Sequence, residues 1–367
     1  MSHPNEVITE IQGRVGLITL NRPTALNALN LSMIRTLTQC LLAWRDDNRV
    51  QAVAVRGSNK AGPFGAFCAG GDIRYFHQAL LAGDPSTEDF FTEEYTLNHL
   101  VHRYPKPYIA FMDGVVMGGG MGISQGASHR LVTERSKLAM PETLIGLFPD
   151  VAGGYFLSRC PGATGEWLAL TGTTVRAGDA IALGLADHCL PVDSLPQAWA
   201  ALAGLQSLDS ASIDRWIATY SVATTADESR ARGQIDYYFA KDSVAAIVQA
   251  LETDASEWAR QNAALLRQRS PLMLHVALAQ IRRARQLTVA QDLRMERDLV
   301  RHAFFPKHLG RSGAQTETAE GIRALVIDKD NAPQWNPPRI EDVTAAMVRP
   351  FFDSPWWAQS HPLRELD

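Results

Sequence analysis

The sequence predicts an α/β core followed by a mostly helical C-terminal region. Three features point there. Short Val-rich and Ile-rich stretches alternate with amphipathic ones in the first half of the chain. Glycine-rich bends fall where a strand-like stretch gives way to a helix-like one. From about residue 163 the apolar spacing becomes mostly helical.

Taken in order, "VITEIQ" and "VGLITLN" read as two strands, the second ending at "RP". "ALNLSMIRTLTQCLLAW" places Leu29, Met33, Leu37, Leu41 and Trp44 on one helical stripe. "VQAVAVRGS" and "PYIAFMDGVV" are further strands, and the bends between them are the expected functional turns. In the helical half, Ser270 is an N-cap with Pro271 at the first helical position. Thr288 and Gln291 stand at capping-box spacing. "VIDKDNAPQWNPPR" is a Pro-rich loop rather than a linker, because it carries a Trp among apolar neighbours. The expected division is a core over residues 1–190 and a helical region over 191–367 that packs on it.

The chain has 367 residues, of which 46% are hydrophobic and 20% charged, enough to bury a core without disulfides or metal. A net charge of −4 argues against nucleic acid as a partner. The 35 Lys and Arg still leave room for local contacts to an anionic ligand. Cys40, Cys68, Cys160 and Cys189 show no metal-type spacing, so free thiols in a reducing compartment and no metal site are expected. No apolar run of about 18 residues suggests a membrane span, and no secretory signal is visible, so the chain reads as cytoplasmic.

Three loops carry chemistry. In "FGAFCAGGDIRYF" (64–76), Gly70 and Gly71 let backbone N–H groups approach a ligand, and Asp72 fits an N-cap. In "DGVVMGGGMGISQGA" (113–127), a strand enters a helix through Gly118, Gly119 and Gly120. The first N–H groups of a helix have no partner and carry partial positive charge, which suits a carbonyl oxygen gaining negative charge. Neither bend matches a dinucleotide or phosphate loop, and each by itself could be only a tight turn.

The third loop is "MPETLIGLFPD" (140–150). Glu142 falls in the first turn of a short helix begun by Pro141, and Asp150 precedes "VAGGYFLSR", where an N-cap is its plain reading. Both acids lie among apolar residues, where desolvation would raise a carboxylate towards a useful base. A further acid stands out in "FFTEEYTLNHLVHRY" (90–104). There Phe90, Phe91, Leu97, Leu100, Val101 and Tyr104 form one face, and Glu94 falls roughly 30° from its middle. A neutralised structural acid and a ligand contact both fit that position.

At these loops the chain resembles the crotonase (enoyl-CoA hydratase/isomerase) superfamily, and within it the 3-hydroxyisobutyryl-CoA hydrolases. "FCAGGDIR", "FFTEEYTLNH", "MGGGMGIS" and "MPETLIGLFPDVAGGYFL" occur in order, and "EGIRALVIDKDNAPQWNP" extends the likeness past the shared core. The resemblance implies a spiral of ββα units with a helical C-terminal region. It implies that the N–H groups of Gly71 and Gly119, flanked by Gly70 and Gly118, form an oxyanion hole. Glu142 matches the acid that acts directly, Asp150 the hydrolases' second acid, and Glu94 a substrate-pocket glutamate. Hydratases of the superfamily resemble "GGGCE" at the second bend, whereas this chain reads "GGGMG", leaving Gly122 where a second catalytic glutamate would stand. The implied substrate is an acyl-CoA, with no cofactor beyond the CoA of the substrate and room for a homo-oligomer. The implied reaction is thioester hydrolysis. A double-bond isomerase or hydratase of the same superfamily is the alternative, because dienoyl-CoA isomerases carry an acid pair at the same spacing. A non-catalytic acyl-CoA-binding protein on the same fold is a third reading.

Overall fold

In the computed structural model, which describes residues 5–226 and 232–367, the first two apolar stretches pair as an antiparallel hairpin. Its strands are β1 (Val7–Gln12) and β2 (Val15–Leu20). β2 is buried almost throughout, as a strand covered on both faces must be, whereas β1 exposes most of its residues. The chain continues through β3 (Ala52–Asn59), β4 (Gly62–Pro63), β5 (Tyr108–Met112), β6 (Val115–Met117), β7 (His129–Val132), β8 (Lys137–Ala139) and β9 (His188–Cys189).

The larger sheet runs β1-β2-β3-β5-β7-β9, with β4 on β3, and every pair from β2 to β9 along that order is parallel. Its register sets Ile18 opposite Val55, Val55 opposite Ala110, and Phe111 opposite Leu131. β6 and β8 form a separate parallel pair. The chain therefore alternates between the two sheets, from β5 to β6 and from β7 to β8, with a helical element after each pair. That alternation is the expected spiral of ββα units. Between β2 and β3 runs the expected helix, Leu31–Asp46, where Asn30 accepts from the Met33 N–H at 2.9 Å. Met33, Leu37, Leu41 and Trp44 are buried on its stripe, and Leu29 lies just before the helix, equally buried.

The chain divides into two compact units, each drawn from three stretches. The first takes residues up to Gly71, Leu97–Ala139, and the described chain from Thr174 to residue 226. It contains every strand among the described residues. On one face of the larger sheet, Leu17, Ala54, Phe111 and Leu131 pack with Leu195, Trp199, Ile213 and Trp216 from the helices Leu195–Ala203 and Ser210–Tyr220. The Trp199 and Phe111 rings meet edge-on at 5.2 Å. Residues just beyond 190 thus complete the core of the sheet, so the units interleave along the sequence instead of meeting at one boundary there.

The second unit comprises Asp72–Thr96, Met140–Thr173 and the described residues from 232 onwards. Its two longest helices from the C-terminal half, Pro271–Ala284 and Val289–Phe304, start as expected: Ser270 accepts from the Met273 N–H, and Thr288 with Gln291 forms a capping box. Phe76, Phe90, Phe91 and Phe304 cluster, with ring pairs at 4.7 Å (Phe76–Phe90) and 4.9 Å (Phe91–Phe304). Among the described residues no helix is long and apolar enough to cross a membrane, and no His, Cys, Asp and Glu group could hold a metal ion. Among the described residues none of the four cysteines is in a disulfide.

Candidate active site

The two glycine bends come together within the first unit. Cys68 N–H donates to Val115 O at 3.0 Å, and Met117 N–H returns a bond to Cys68 O at 3.0 Å, which lays the two segments side by side. Leu29 N–H holds the first bend by donating to Gly70 O at 2.7 Å. Gly70 has φ +113° and Gly118 φ +47°, both in territory that favours glycine. A Cβ on Gly70 would lie 3.5 Å from Met117 O and 3.8 Å from Gly119 N, so the residue after each bend can face the same small space. Gly119 opens the short helix Gly119–Gly122, and its N–H has no carbonyl partner, nor has that of Gly71, among the described residues. Two unclaimed N–H groups on adjoining bends are what an oxyanion hole requires. Gly122 ends that helix, buried, and contributes no acid.

The three acids come together within the second unit. Pro141 starts a 3₁₀ turn, Glu142–Ile145, that Gly146 ends at φ +69°. The turn is pinned from outside: Ser270 N–H donates to Thr143 O at 3.1 Å and the Thr318 hydroxyl to Gly146 O at 2.8 Å. Glu94, Glu142 and Asp150 are all buried, at 2%, 6% and 6% exposure. Tyr95, next to Glu94, donates its hydroxyl to Asp150 Oδ2 at 2.8 Å. Oε2 of Glu142 and Oε1 of Glu94 are buried with no hydrogen-bond partner among the described residues. Buried polar oxygens are seldom left so without a ligand or water to meet them.

Burial governs the charge states here. It pushes Glu142 and Glu94 well above the usual carboxylate range, and the charge of Asp150 pushes both further. Burial also raises Asp150, to about 6, against the Tyr95 hydroxyl, which holds it down. The charge of Asp150 is thus part of the field in which Glu142 and Glu94 lose their protons.

Asp150 is not an N-cap. The helix after it, Gly153–Leu157, is preceded by Ala152 and has no side-chain cap from its own loop. Two acids one turn apart on the distant helix Val289–Phe304 take its N–H groups instead. Glu296 accepts from Ala152 at 2.7 Å and Gly154 at 2.9 Å, and Asp292 accepts from Tyr155 at 2.7 Å. Gln280 donates to Glu296 at 3.0 Å and to Pro149 O at 2.6 Å. This clamp holds Val151 and Ala152 at φ +56° and +67°, strained values for residues with a Cβ, immediately after Asp150. Freed from capping, the Asp150 side chain turns to Tyr95.

All seven site residues expected from the sequence sit in one or other of these two groups. Gly70, Gly71, Gly118 and Gly119 form the first, and Glu94, Glu142 and Asp150 the second. Sequence reasoning missed Tyr95, Gln280, Asp292 and Glu296. A usable signal was present for one pair: Asp292 and Glu296 are four apart, on the face that also carries Leu293 and Leu299, an unusual place for two acids.

Parallel ββα turns, paired N–H donors on glycine bends and a buried acid cluster define an enzyme of the crotonase class. The chain belongs to the enoyl-CoA hydratase/isomerase family, whose sequence model matches residues 15–352. It is 36% identical over 354 residues to a mitochondrial 3-hydroxyisobutyryl-CoA hydrolase of Gallus gallus, covering 94% of this chain and 87% of that one. It is 35% identical over 361 residues to a probable 3-hydroxyisobutyryl-CoA hydrolase of Arabidopsis thaliana, covering 96% and 93%. Among solved structures it resembles a carnitinyl-CoA dehydratase from Mycobacterium thermoresistibile, with 36% identity, a TM-score of 0.89, and coverage of 99% and 100%. An enoyl-CoA hydratase from Rhodobacter sphaeroides superposes with a TM-score of 0.85 at 35% identity, covering 96% and 98%.

Proposed function

We propose that this enzyme hydrolyses a short 3-hydroxyacyl-CoA thioester, 3-hydroxyisobutyryl-CoA first among them, to the 3-hydroxy acid and free CoA, as a step of valine breakdown. The observation that carries the reading is a buried Glu142 with one unpartnered oxygen beside Asp150, in a chain with Gly122 where a hydratase has its second glutamate. Adding water across a double bond calls on two acids flanking the water; hydrolysis needs one base or nucleophile and an oxyanion site. The similarity to named hydrolases over nearly the whole chain supports the same reading.

In this reading the N–H groups of Gly71 and Gly119 receive the negative charge that develops on the thioester oxygen. Glu142 removes a proton from water as it attacks the carbonyl carbon, or attacks that carbon itself to give a mixed anhydride that water then opens. The C–S bond breaks, the thiolate of CoA leaves and takes up a proton, and the acid departs as its carboxylate. Asp150 and Glu94 orient the 3-hydroxyl group or the water. CoA belongs to the substrate, and no cofactor, metal, nucleic acid or membrane enters the scheme. We place the enzyme in the cytoplasm, although the animal relatives are named as mitochondrial.

The names of the two solved neighbours favour a second reading, hydration or dehydration of an acyl-CoA, to which the family's description adds isomerisation. A thiol-reagent assay of CoA release over short 3-hydroxyacyl-CoAs, with isobutyryl-CoA as the unhydroxylated control, separates the two when run beside an absorbance assay with enoyl- and dienoyl-CoA. Fast release from the 3-hydroxyacyl substrates, with Glu142→Gln lowering it at least about 10³-fold while the fold survives, is the expected result. Near-full turnover by that variant, or double-bond chemistry outpacing release, sinks the proposal.

A further inference from the structure

Away from the acid cluster, one cationic side chain of the second unit has no acid to answer it. Arg269 is only 7% exposed. Its Nε and Nη2 both donate to Thr171 O, at 3.0 and 2.6 Å. Thr171 ends the helix Thr164–Thr171, so the partial negative charge of that helix end offsets part of the guanidinium's charge. Nη1 donates to no described residue, and no described carboxylate lies within ion-pair reach. Burial lowers the arginine's pKa with no acid acting against it. A buried full charge met by about half a charge is unfavourable unless something else completes it.

Arg269 also lines a cavity of about 590 Å³ with Leu144, Leu325, Pro333 and Trp335. That volume is in the range of small-molecule sites, and the lining mixes polar residues, Gln268 and Asn331 among them, with apolar ones. The other cation of the cavity, Arg267, is already taken by Glu252 at 2.8 Å and Glu341 at 2.7 Å. The backbone around it is irregular: Arg323–Ile327 is a π-helical turn, and Asn331, another lining residue, has φ +53°. Such features gather at ligand sites. Neither Glu94, Glu142 nor Asp150 lines it.

We propose that this cavity binds a small organic monocarboxylate, its charge on Arg269 and its hydrocarbon or planar body against Leu144, Leu325 and Trp335. One negative charge matches the one incompletely answered cation. Glu252 and Glu341, held at Arg267 near the cavity, repel a dianion such as phosphate more strongly than a monoanion. The site does not depend on the hydrolase reading.

Isothermal titration of the full chain with benzoate, benzyl alcohol and inorganic phosphate tests this, using wild type, Glu142→Gln, Arg269→Gln and Leu325→Trp. Benzoate should saturate one site per chain, with the alcohol and phosphate at least about tenfold weaker. Arg269→Gln should weaken benzoate roughly 10- to 100-fold, the usual worth of a hydrogen bond to a charged group. Leu325→Trp fills the cavity while leaving the bonds of Arg269 to Thr171 in place, so it carries the test if Arg269→Gln fails to fold. Glu142→Gln should leave binding unchanged. The proposal falls if benzoate does not saturate, if phosphate or the alcohol binds equally well, or if Leu325→Trp has no effect. Loss of binding in Glu142→Gln overturns it too, by placing the ligand at the acid cluster.

Discussion

The reactivity assigned to Glu142 comes from what surrounds one carboxyl. Met140, Leu147, Phe148 and Val151 are all buried in the same stretch, so the proton on Glu142 is held first by desolvation and then by the charge of Asp150. Asp150 keeps its own value near 6 because the Tyr95 hydroxyl, and after it a backbone hydrogen bond, stabilise the carboxylate against burial. Removing the charge at 150 should therefore let Glu142 ionise at lower pH. For Asp150→Asn, the acidic limb of the kcat/KM profile for CoA release should move down by about one pH unit or more, while the plateau rate falls. A limb that stays put would mean that Glu142 does not feel Asp150. The sequence placed both acids correctly in apolar surroundings. It could not show that the plain role of Asp150, capping the next helix, belongs to other residues, because Glu296 and Asp292 lie well over a hundred positions away along the chain.

At the scale of elements, the segment Pro149–Tyr155 is held in an unfavourable shape from outside. Val151 and Ala152 in left-handed conformations cost of order 1–3 kcal/mol each, which the clamp from the helices Pro271–Ala284 and Val289–Phe304 offsets. Glu296→Ala leaves the N–H groups of Ala152 and Gly154 buried without an acceptor, each worth about 1–3 kcal/mol. Urea unfolding should show a loss of about 2–5 kcal/mol, and Glu296→Gln, which keeps one acceptor oxygen, a smaller one. A change below about 0.5 kcal/mol for the alanine variant would show that the clamp does not hold the loop. The helix starts at Asp72, Ser270 and Thr288 were legible from sequence because capping is settled within three residues. The clamp was not, because its donors and acceptors meet only after folding.

For the molecule as a whole, each of the two units draws on three separated stretches. A fragment of residues 1–190 lacks Leu195, Trp199, Ile213 and Trp216, which complete the core of the larger sheet, and it separates Asp72–Thr96 and Met140–Thr173 from the C-terminal part of their own unit. Such a fragment should give no cooperative unfolding transition and no near-UV circular dichroism, whereas the full chain gives both. A cooperatively folded fragment would restore a domain boundary near 190. What the sequence determined by itself was everything set by short spacing: strands and helices, their caps, the glycine bends, and acids standing in apolar runs. Those signals arise from neighbours along the chain, within a turn or a bend. Only the tertiary structure decided which bends adjoin, that Tyr95 answers Asp150, that Glu296 and Asp292 hold the loop behind it, and where the chain divides. Each of those depends on atoms brought together across tens to hundreds of residues, and no local pattern encodes such a meeting.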